Sequence, residues 1–329
     1  MLTRPGTATR RPRKTSRGGP VLGTTALPTV RVNQSATLAP APHGFPPPPT
    51  GRVPTSDGQY SVTSAWPILS FNAPRLLPVK AVLRVVAEVA KAEAEPWVSL
   101  GELRSRLGVI GLGWRASLEA LDGQRDPGRG ERLATGFPSA SRDGERSVRR
   151  FLDSNLGAFY SDGRVVGAPA HLGFLDLVKG EQGEKVVLTP AGLSFAQLRN
   201  SVLDGQEARF PPFTTEETDF YVRHVARARP AEAEHMREYM LLLSQRPGVG
   251  RDAASAAMRR FYVRFWPPNE LTPDMVGSLR MAVHSRCQEL GLAVAEHLGH
   301  SAKYRISELG ERTLGLLQSS KASSDGVTR

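Results

Sequence analysis

The chain has 329 residues, of which 40% are hydrophobic, and a mean hydropathy of -0.30. These values are typical of a soluble protein with two small domains, and no apolar run approaches the roughly 18 residues of a membrane-spanning helix. The single cysteine, Cys287, excludes a disulfide within the chain and a cysteine-based zinc site.

The net charge of +11 is unevenly distributed along the chain. Residues 1–75 contain nine Arg and Lys and one acid, Asp57, so they carry +8, and residues 76–329 carry only +3. A basic segment attracts polyanions without reading their sequence. The rest of the chain has no overall signature of a nucleic-acid binder, so any such surface there must be local.

Residues 1–75 are predicted to form a disordered, basic, Pro-rich arm. They hold 13 of the 26 prolines and much Ser, Thr and Gly. Such a segment buries too little apolar surface to offset the entropy lost on ordering. A basic cluster in this arm could contact DNA phosphates or an acidic partner, and a solubilising tail is the equal alternative. The cluster consists of Arg10, Arg11, Arg13 and Lys14.

A first domain is predicted over residues 76–203. An amphipathic helix over 79–93 comes first, and Ser99 with Glu102 forms a capping-box pattern before the next helix. Helices over 100–107 and about 112–121, separated by a turn at Gly108, have the spacing of a helix-turn-helix. An exposed insertion over 122–145, a helix over 145–155 and a hairpin turn at Asp162–Gly163 are predicted to follow.

A second domain is predicted over residues 214–318, after a linker over 204–213 and before a disordered tail over 319–329. Thr214 and Glu217 form another capping box, and Thr272-Pro273-Asp274 combines three signals of a helix start. The predicted helices of this domain span residues 214–229, 232–245, 252–265 and 273–290.

Two segments of the chain are near copies of each other. Residues 172–198 align without a gap on residues 290–316 when they are displaced by 118 positions. Leu172–Gly173 aligns with Leu290–Gly291, and Leu188, Thr189 and Gly192 align with Ile306, Ser307 and Gly310. Each copy has the pattern of a strand, a polar turn, a second strand and a helix.

The second copy resembles winged-helix proteins of the MarR and PadR kind, in which a hairpin wing returns through a strand ending in Leu-Thr-x-x-Gly and enters a C-terminal helix. The matching segments are Val187-Leu188-Thr189-Pro190-Ala191-Gly192 and Tyr304-Arg305-Ile306-Ser307-Glu308-Leu309-Gly310. The resemblance covers about 27 residues per copy and the order of the upstream helices. It implies a mainly α fold with small β-hairpins, organised as two tandem winged-helix domains after the arm.

The second domain is the better candidate for binding DNA. Its recognition helix would be 273–290 and its wing 291–307, and Arg with small polar residues suits a groove. The alternative is an ordinary solvated helix face. The residues predicted to contact DNA are Ser278, Arg280, His284, Ser285 and Gln288 on the helix, with His300, Lys303 and Arg305 on the wing.

The first domain is less suited to gripping phosphate, because the tip of its wing, with Glu181 and Glu184, is acidic. It nevertheless carries Arg residues near its helix-turn-helix, namely Arg104, Arg106, Arg115, Arg146, Arg149 and Arg150.

Enzyme motifs are missing from the sequence. There is no Walker-type phosphate loop, no Gly-x-Ser-x-Gly and no His-Glu-x-x-His, so neither a cofactor nor a catalytic role is predicted.

The sequence therefore predicts a non-enzymatic protein that binds double-stranded DNA, as a transcriptional regulator or a component of a nucleoprotein complex. It would be cytoplasmic or associated with the nucleoid, without a membrane partner, and a homodimer or part of a larger assembly. The alternative is a protein–protein interaction module, similar to the tandem winged-helix accessory subunits of chromosome-organising complexes. The nearly neutral charge of residues 76–329 favours that alternative, and the basic arm favours DNA.

Overall fold

The computed structural model describes residues 44–56, 67–69, 75–128, 130–141, 143–181, 183–205, 207–298 and 301–325. These residues form a mainly helical protein with small antiparallel sheets, and they belong to one compact body. We call residues 76–203 the first half of this body and residues 214–318 the second half.

The first half begins with a helix that is buried along most of its length and continues through alternating helices and short strands. Its elements are α1 Leu77–Glu93, β1 Val98–Ser99, α2 Leu100–Gly123, α3 Gly144–Asn155, β2 Ala158–Phe159, β3 Val165–Val166, α4 Ala168–His171, β4 Leu175–Gly180, β5 Gly183–Leu188, α5 Pro190–Gln197 and α6 Ser201–Gly205.

The second half adds one helix at its start and then repeats much of this order. Its elements are α7 Thr215–Ala228, α8 Pro230–Gln245, β6 Val249–Gly250, α9 Arg251–Tyr262, α10 Pro273–Glu289, β7 Ala293–Leu298, β8 Ser301–Ile306 and α11 Glu308–Asp325. Both predicted N-terminal caps are present, since Thr214 and Glu217 form a capping box and the Thr272 hydroxyl accepts from the N–H of Met275.

Each half contains a three-stranded antiparallel sheet with the same connections. The order is β1-β5-β4 in the first half and β6-β8-β7 in the second. The short strand, which lies between α1 and α2 in the first half and between α8 and α9 in the second, is therefore beside the last strand. Strands β1 and β6 have two residues each, too few for an alternating pattern to reveal them in the sequence.

The repeat predicted from the sequence is confirmed at the level of individual hydrogen bonds. Leu175 pairs with Leu188 in the first hairpin, and Ala293 pairs with Ile306 in the second, which is the same register displaced by 118 residues. The N–H of Thr189 donates to the Phe174 carbonyl over 3.1 Å, and the N–H of Ser307 donates to the Leu292 carbonyl over the same distance.

The repeated glycine of each copy lies where helix and hairpin touch. A Cβ atom added to Gly192 would overlap the Phe174 carbonyl oxygen, and one added to Gly310 would overlap the Leu292 carbonyl oxygen. The glycine is needed in both copies because the backbone of the helix approaches the backbone of the first strand.

The predicted break at Gly108 is wrong, because α2 is one continuous helix from Leu100 to Gly123. A glycine costs only about 1 kcal/mol inside a helix, and the stripe that includes Leu107, Trp114 and Leu118 is buried along its length. Gly108 and Gly111 let α3 and its preceding loop pack closely, since a Cβ on Gly111 would lie 3.1 Å from the Phe151 ring.

The insertion predicted as exposed is partly buried. Leu133, Ala134 and Phe137 are buried, and the Asp122 carboxylate accepts from the backbone N–H groups of Leu133 and Ala134 over 2.9 and 3.1 Å. A buried carboxylate held by two N–H donors fixes the path of a loop that sequence composition describes only as polar.

The prediction of a wholly disordered arm is wrong for residues 44–56, which we call the strap. Phe45 stacks on Trp114 with ring centroids 5.3 Å apart, and Val53 and Ser56 are buried. The Pro46 carbonyl accepts from Arg84, and proline lowers the entropy lost on ordering such an extended segment.

The predicted tail is also partly wrong, because helix α11 continues from Glu308 to Asp325. The sequence from Gln318 to Asp325 contains neither Pro nor Gly, and the next residue is Gly326. The chain therefore offers no strong helix breaker before that position.

The two halves share one hydrophobic core and are joined by buried charges. The Lys80 ammonium on α1 lies 2.9 Å from the Glu217 carboxylate on α7, and both side chains are fully buried. Asn200 donates to Glu217 and to the Pro212 carbonyl over 2.9 and 3.0 Å. The stretch 204–213 was predicted as a linker. In the structure, its Pro212 carbonyl accepts from Asn200, and the stretch ends at the buried Phe213.

Candidate functional site

Three of the polar residues predicted to face DNA on α10 are buried in the protein. Arg280, His284 and Gln288 are only 2%, 5% and 2% exposed, so the prediction that they form an accessible surface is wrong. Ser278 and Ser285 are half-buried. The helix was predicted correctly, but its polar residues do not form a solvent-facing stripe.

These residues are buried because they pack against neighbouring rings and loops. The Arg280 guanidinium lies 5.3 Å from the centre of the Tyr304 ring, and the Tyr239 hydroxyl is 2.8 Å from His284 Nδ1. Gln288 is covered by the loop that contains Gly130, where an added Cβ would lie 3.1 Å from the Gln288 side-chain oxygen.

A buried ion pair explains another charged residue of α10. Arg286 Nη2 lies 2.8 Å from Glu232 Oε1, and both side chains are fully buried. Burial alone would raise the pKa of Glu232, but the Arg286 charge, with help from His235, lowers it to about 2. Helix α10 therefore uses its charges to hold α8 inside the second half.

The residues predicted to bind DNA from the second hairpin differ in where the structure places them. Lys303 and Arg305 are exposed, and Arg305 forms an ion pair with Glu296 across the hairpin. His300 lies outside the described residues, as do Arg10, Arg11, Arg13 and Lys14. Only Lys303 and Arg305 remain as exposed cations of the predicted second-half surface.

Helix α3 presents three arginines on one exposed face. Arg146, Arg149 and Arg150 are exposed and have the i, i+3, i+4 spacing that places them side by side. Phe151 and Leu152 are buried on the opposite face, so the amphipathic pattern fixes which way the arginines point. We call these three residues the α3 arginine face.

The α3 arginine face has no acidic partner in the described part of the chain. No ion pair or side-chain hydrogen bond there involves Arg146, Arg149 or Arg150, whereas Arg104 and Arg106 pair with Asp153 and Glu88. Asp153, the acid near the C-terminal end of α3, is therefore already paired with Arg104. The three guanidinium groups are therefore available for an external anion.

Helix α3 resembles α10 in its packing, although β2, β3 and α4 separate α3 from the β4–β5 hairpin, whereas α10 leads directly into β7. Helix α3 packs on α2, which follows β1 directly, as α10 packs on α9, which follows β6 directly. The three arginines of α3 were named from the sequence. The sequence could not show that α3 exposes its arginines, whereas α10 buries Arg280 and Arg286.

The β2–β3 hairpin follows α3 in the chain and carries one more exposed arginine, Arg164. Its side chain lies 2.8 Å from the Asp162 carboxylate and 5.9 Å from the centre of the Tyr160 ring.

The described residues contain no group of three or more His, Cys, Asp or Glu placed to hold a metal ion. Burial raises the pKa of the Cys287 thiol to about 12, so this thiol stays protonated at neutral pH. Within the described part, no helix is both long and apolar enough to span a bilayer.

No family model, curated protein or solved structure matches this chain.

Proposed function

We propose that this chain is a non-enzymatic DNA-binding protein built from two winged-helix units. From α8 onward, the second half has the order helix, strand, helix, helix, strand, strand, with its first strand beside its third. The first half has the same order with β2, β3 and α4 inserted after α3, and its first strand lies beside its last, β5. The shared hairpin frame supports a common fold for both units. Fold alone does not define function, so the proposal depends on a surface.

The surface that carries the proposal is the α3 arginine face. Three adjacent guanidinium groups without acidic partners would contact phosphates of a duplex, and arginine can also bind guanine edges in the major groove. The basic cluster of Arg10, Arg11, Arg13 and Lys14 would add contacts that depend on salt but not on sequence. This proposal replaces α10 with α3 as the helix that approaches DNA.

The test is a titration of labelled random duplex DNA with the full chain at several salt concentrations. Changing Arg146, Arg149 and Arg150 together to Ala should weaken binding by at least about 10-fold. It should also reduce the salt slope by about 3, because each phosphate contact contributes about 0.9.

A matched control removes the same charge elsewhere. The control residues are exposed on α7 and α9, namely Arg223, Arg227 and Arg260. Changing all three to Ala should change the affinity for DNA by no more than about 2-fold, through the general loss of positive charge. Equal weakening by both triple variants would show that only net charge matters, and the α3 proposal would be wrong.

A protein–protein interaction module is the second candidate function. It is favoured by the burial of Arg280, His284 and Gln288, together with the exposure of Met281 on the same helix. A large exposed apolar side chain suits a protein partner better than phosphate. Absence of duplex binding by the full chain at low salt would favour this candidate over DNA binding.

A further inference from the structure

In the first half, Ser56 at the end of the strap is hydrogen-bonded to the β4–β5 hairpin. Asp176 and Val187 are cross-strand partners on one face of this hairpin, and both are buried. The Ser56 hydroxyl donates to Asp176 Oδ2 over 2.8 Å, and the Ser56 N–H donates to the Leu188 carbonyl over 2.7 Å. An extended segment of the chain thus docks on this hairpin through both side chain and backbone.

The corresponding face of the second half is uncovered in the described part of the chain. A displacement of 118 residues places Val294 and Arg305, which are also cross-strand partners, at the positions of Asp176 and Val187. Val294 is 41% exposed and Arg305 is exposed as well. Among the described residues, no hydrogen bond from outside the sheet reaches the carbonyl of Ile306, the counterpart of Leu188.

We propose that this second face, formed by Val294, Lys303, Arg305 and the end of β8, docks an extended segment of a protein partner. The repeat supplies the geometry, because the same hairpin frame already accepts an extended segment in the first half. Main-chain hydrogen bonds along a strand provide affinity in such contacts, and side-chain pockets provide specificity. The proposal is independent of DNA binding.

The chemistry of the face selects an acidic and partly apolar segment. Val294 corresponds to Asp176, which accepts a hydrogen bond from the Ser56 hydroxyl in the first half. Because Val294 is apolar, the partner would place an apolar side chain there. Lys303 lies opposite Glu296 in the hairpin, and Glu296 forms its ion pair with Arg305, so two exposed cations face one carboxylate and the face keeps a net positive charge. A carboxylate of the partner segment would pair with Lys303 and Arg305 at this edge.

The probe is a labelled synthetic peptide with the sequence of residues 50–56, carrying Arg52→Glu and Ser56→Val. These changes supply the acidic and apolar groups that the face selects. Fluorescence anisotropy with the full chain should show binding at least about 10-fold tighter than for the unchanged peptide. Hydrogen exchange at residues 302–306 should slow on binding.

Variants of the protein locate the contact. Val294→Asp should weaken peptide binding by at least about 10-fold, while Val109→Asp on α2, which replaces another exposed valine, should leave it unchanged. Duplex DNA affinity should be the same in both variants, so a failure here is distinct from a failure of the DNA proposal.

Three results would overturn the inference: no peptide binding up to millimolar concentration, equal binding by Val294→Asp, or slowed exchange at β5 instead of β8. If the chain alone self-associates in light scattering and Val294→Asp abolishes that association, the occupant is a second copy and the proposed partner is wrong.

Discussion

Individual buried residues show where sequence reasoning reaches its limit. His284 and Arg280 were predicted to face DNA because a helix with an apolar stripe should expose its flanks. In the structure, Tyr239 and Tyr304 provide partners that make burial of these flanks favourable. Both tyrosines are distant in sequence, so no local pattern reveals them.

Buried histidines make stability depend on pH at the residue scale. Burial lowers the pKa of His171 to about 4, with the charges of Arg229 and Arg286 adding to the effect and that of Glu232 opposing it. In the unfolded chain, the pKa of a histidine is about 6.5, so the unfolded state binds more protons than the folded state between these two values. The free energy of unfolding therefore falls as pH falls from about 6.5 towards 4.

His171→Gln should remove part of this dependence. Between pH 7.5 and pH 5, the unchanged chain should lose about 2 kcal/mol more stability than the variant, as linkage at one site predicts. Urea unfolding at both pH values measures this difference. If the variant and the unchanged chain lose the same amount, His171 does not contribute to the acid sensitivity.

At the scale of elements, most helices and the two repeated hairpins were predictable because their signals are local. Thr272-Pro273-Asp274 starts α10 and Thr214 with Glu217 starts α7, as their capping patterns predict. Gly108 was misread because a glycine inside a helix and a glycine in a turn have the same local sequence signal. The tertiary contact with Val148 distinguishes the two cases.

The repeated glycines allow a direct test of the hairpin frame. Gly192→Ala and Gly310→Ala should each destabilise the protein by about 3 kcal/mol or more, because the new methyl group overlaps a backbone carbonyl that cannot move alone. Thermal or urea unfolding of the full chain measures the loss.

The matched controls are Gly113→Ala in α2 and Gly277→Ala in α10, where an added Cβ meets nothing within 4 Å. These changes should stabilise by up to about 1 kcal/mol, because alanine favours a helix. Similar effects at all four positions would mean that the close approach of helix and strand is not what requires glycine.

At the scale of the whole molecule, the sequence predicted two repeated units but not how they are joined. The buried pair of Lys80 and Glu217 connects α1 to α7 across the two halves. Burial lowers the pKa of Lys80 to about 8 even though Glu217 opposes the shift. Charge composition alone cannot identify such a pair, because its partners are far apart in sequence.

Breaking this pair should cost much more than breaking an exposed one. Glu217→Gln leaves the Lys80 charge buried without its counterion, and we expect a loss of about 3–5 kcal/mol. Glu88→Gln, which breaks the exposed pair with Arg106, should change stability by less than about 1 kcal/mol. Urea unfolding compares the two variants, and equal losses would contradict a special role for the buried pair.

The contacts made by the residues before α1 also have a consequence for the order of events during synthesis. The Ser56 N–H bonds to Leu188, and the Leu76 N–H bonds to the Glu289 carboxylate across a separation of 213 residues. At ribosomal speeds of about 5–20 residues per second, Leu76 is made on the order of 10–40 s before its acceptor exists. The residues before α1 therefore complete their contacts only after α10 has been made.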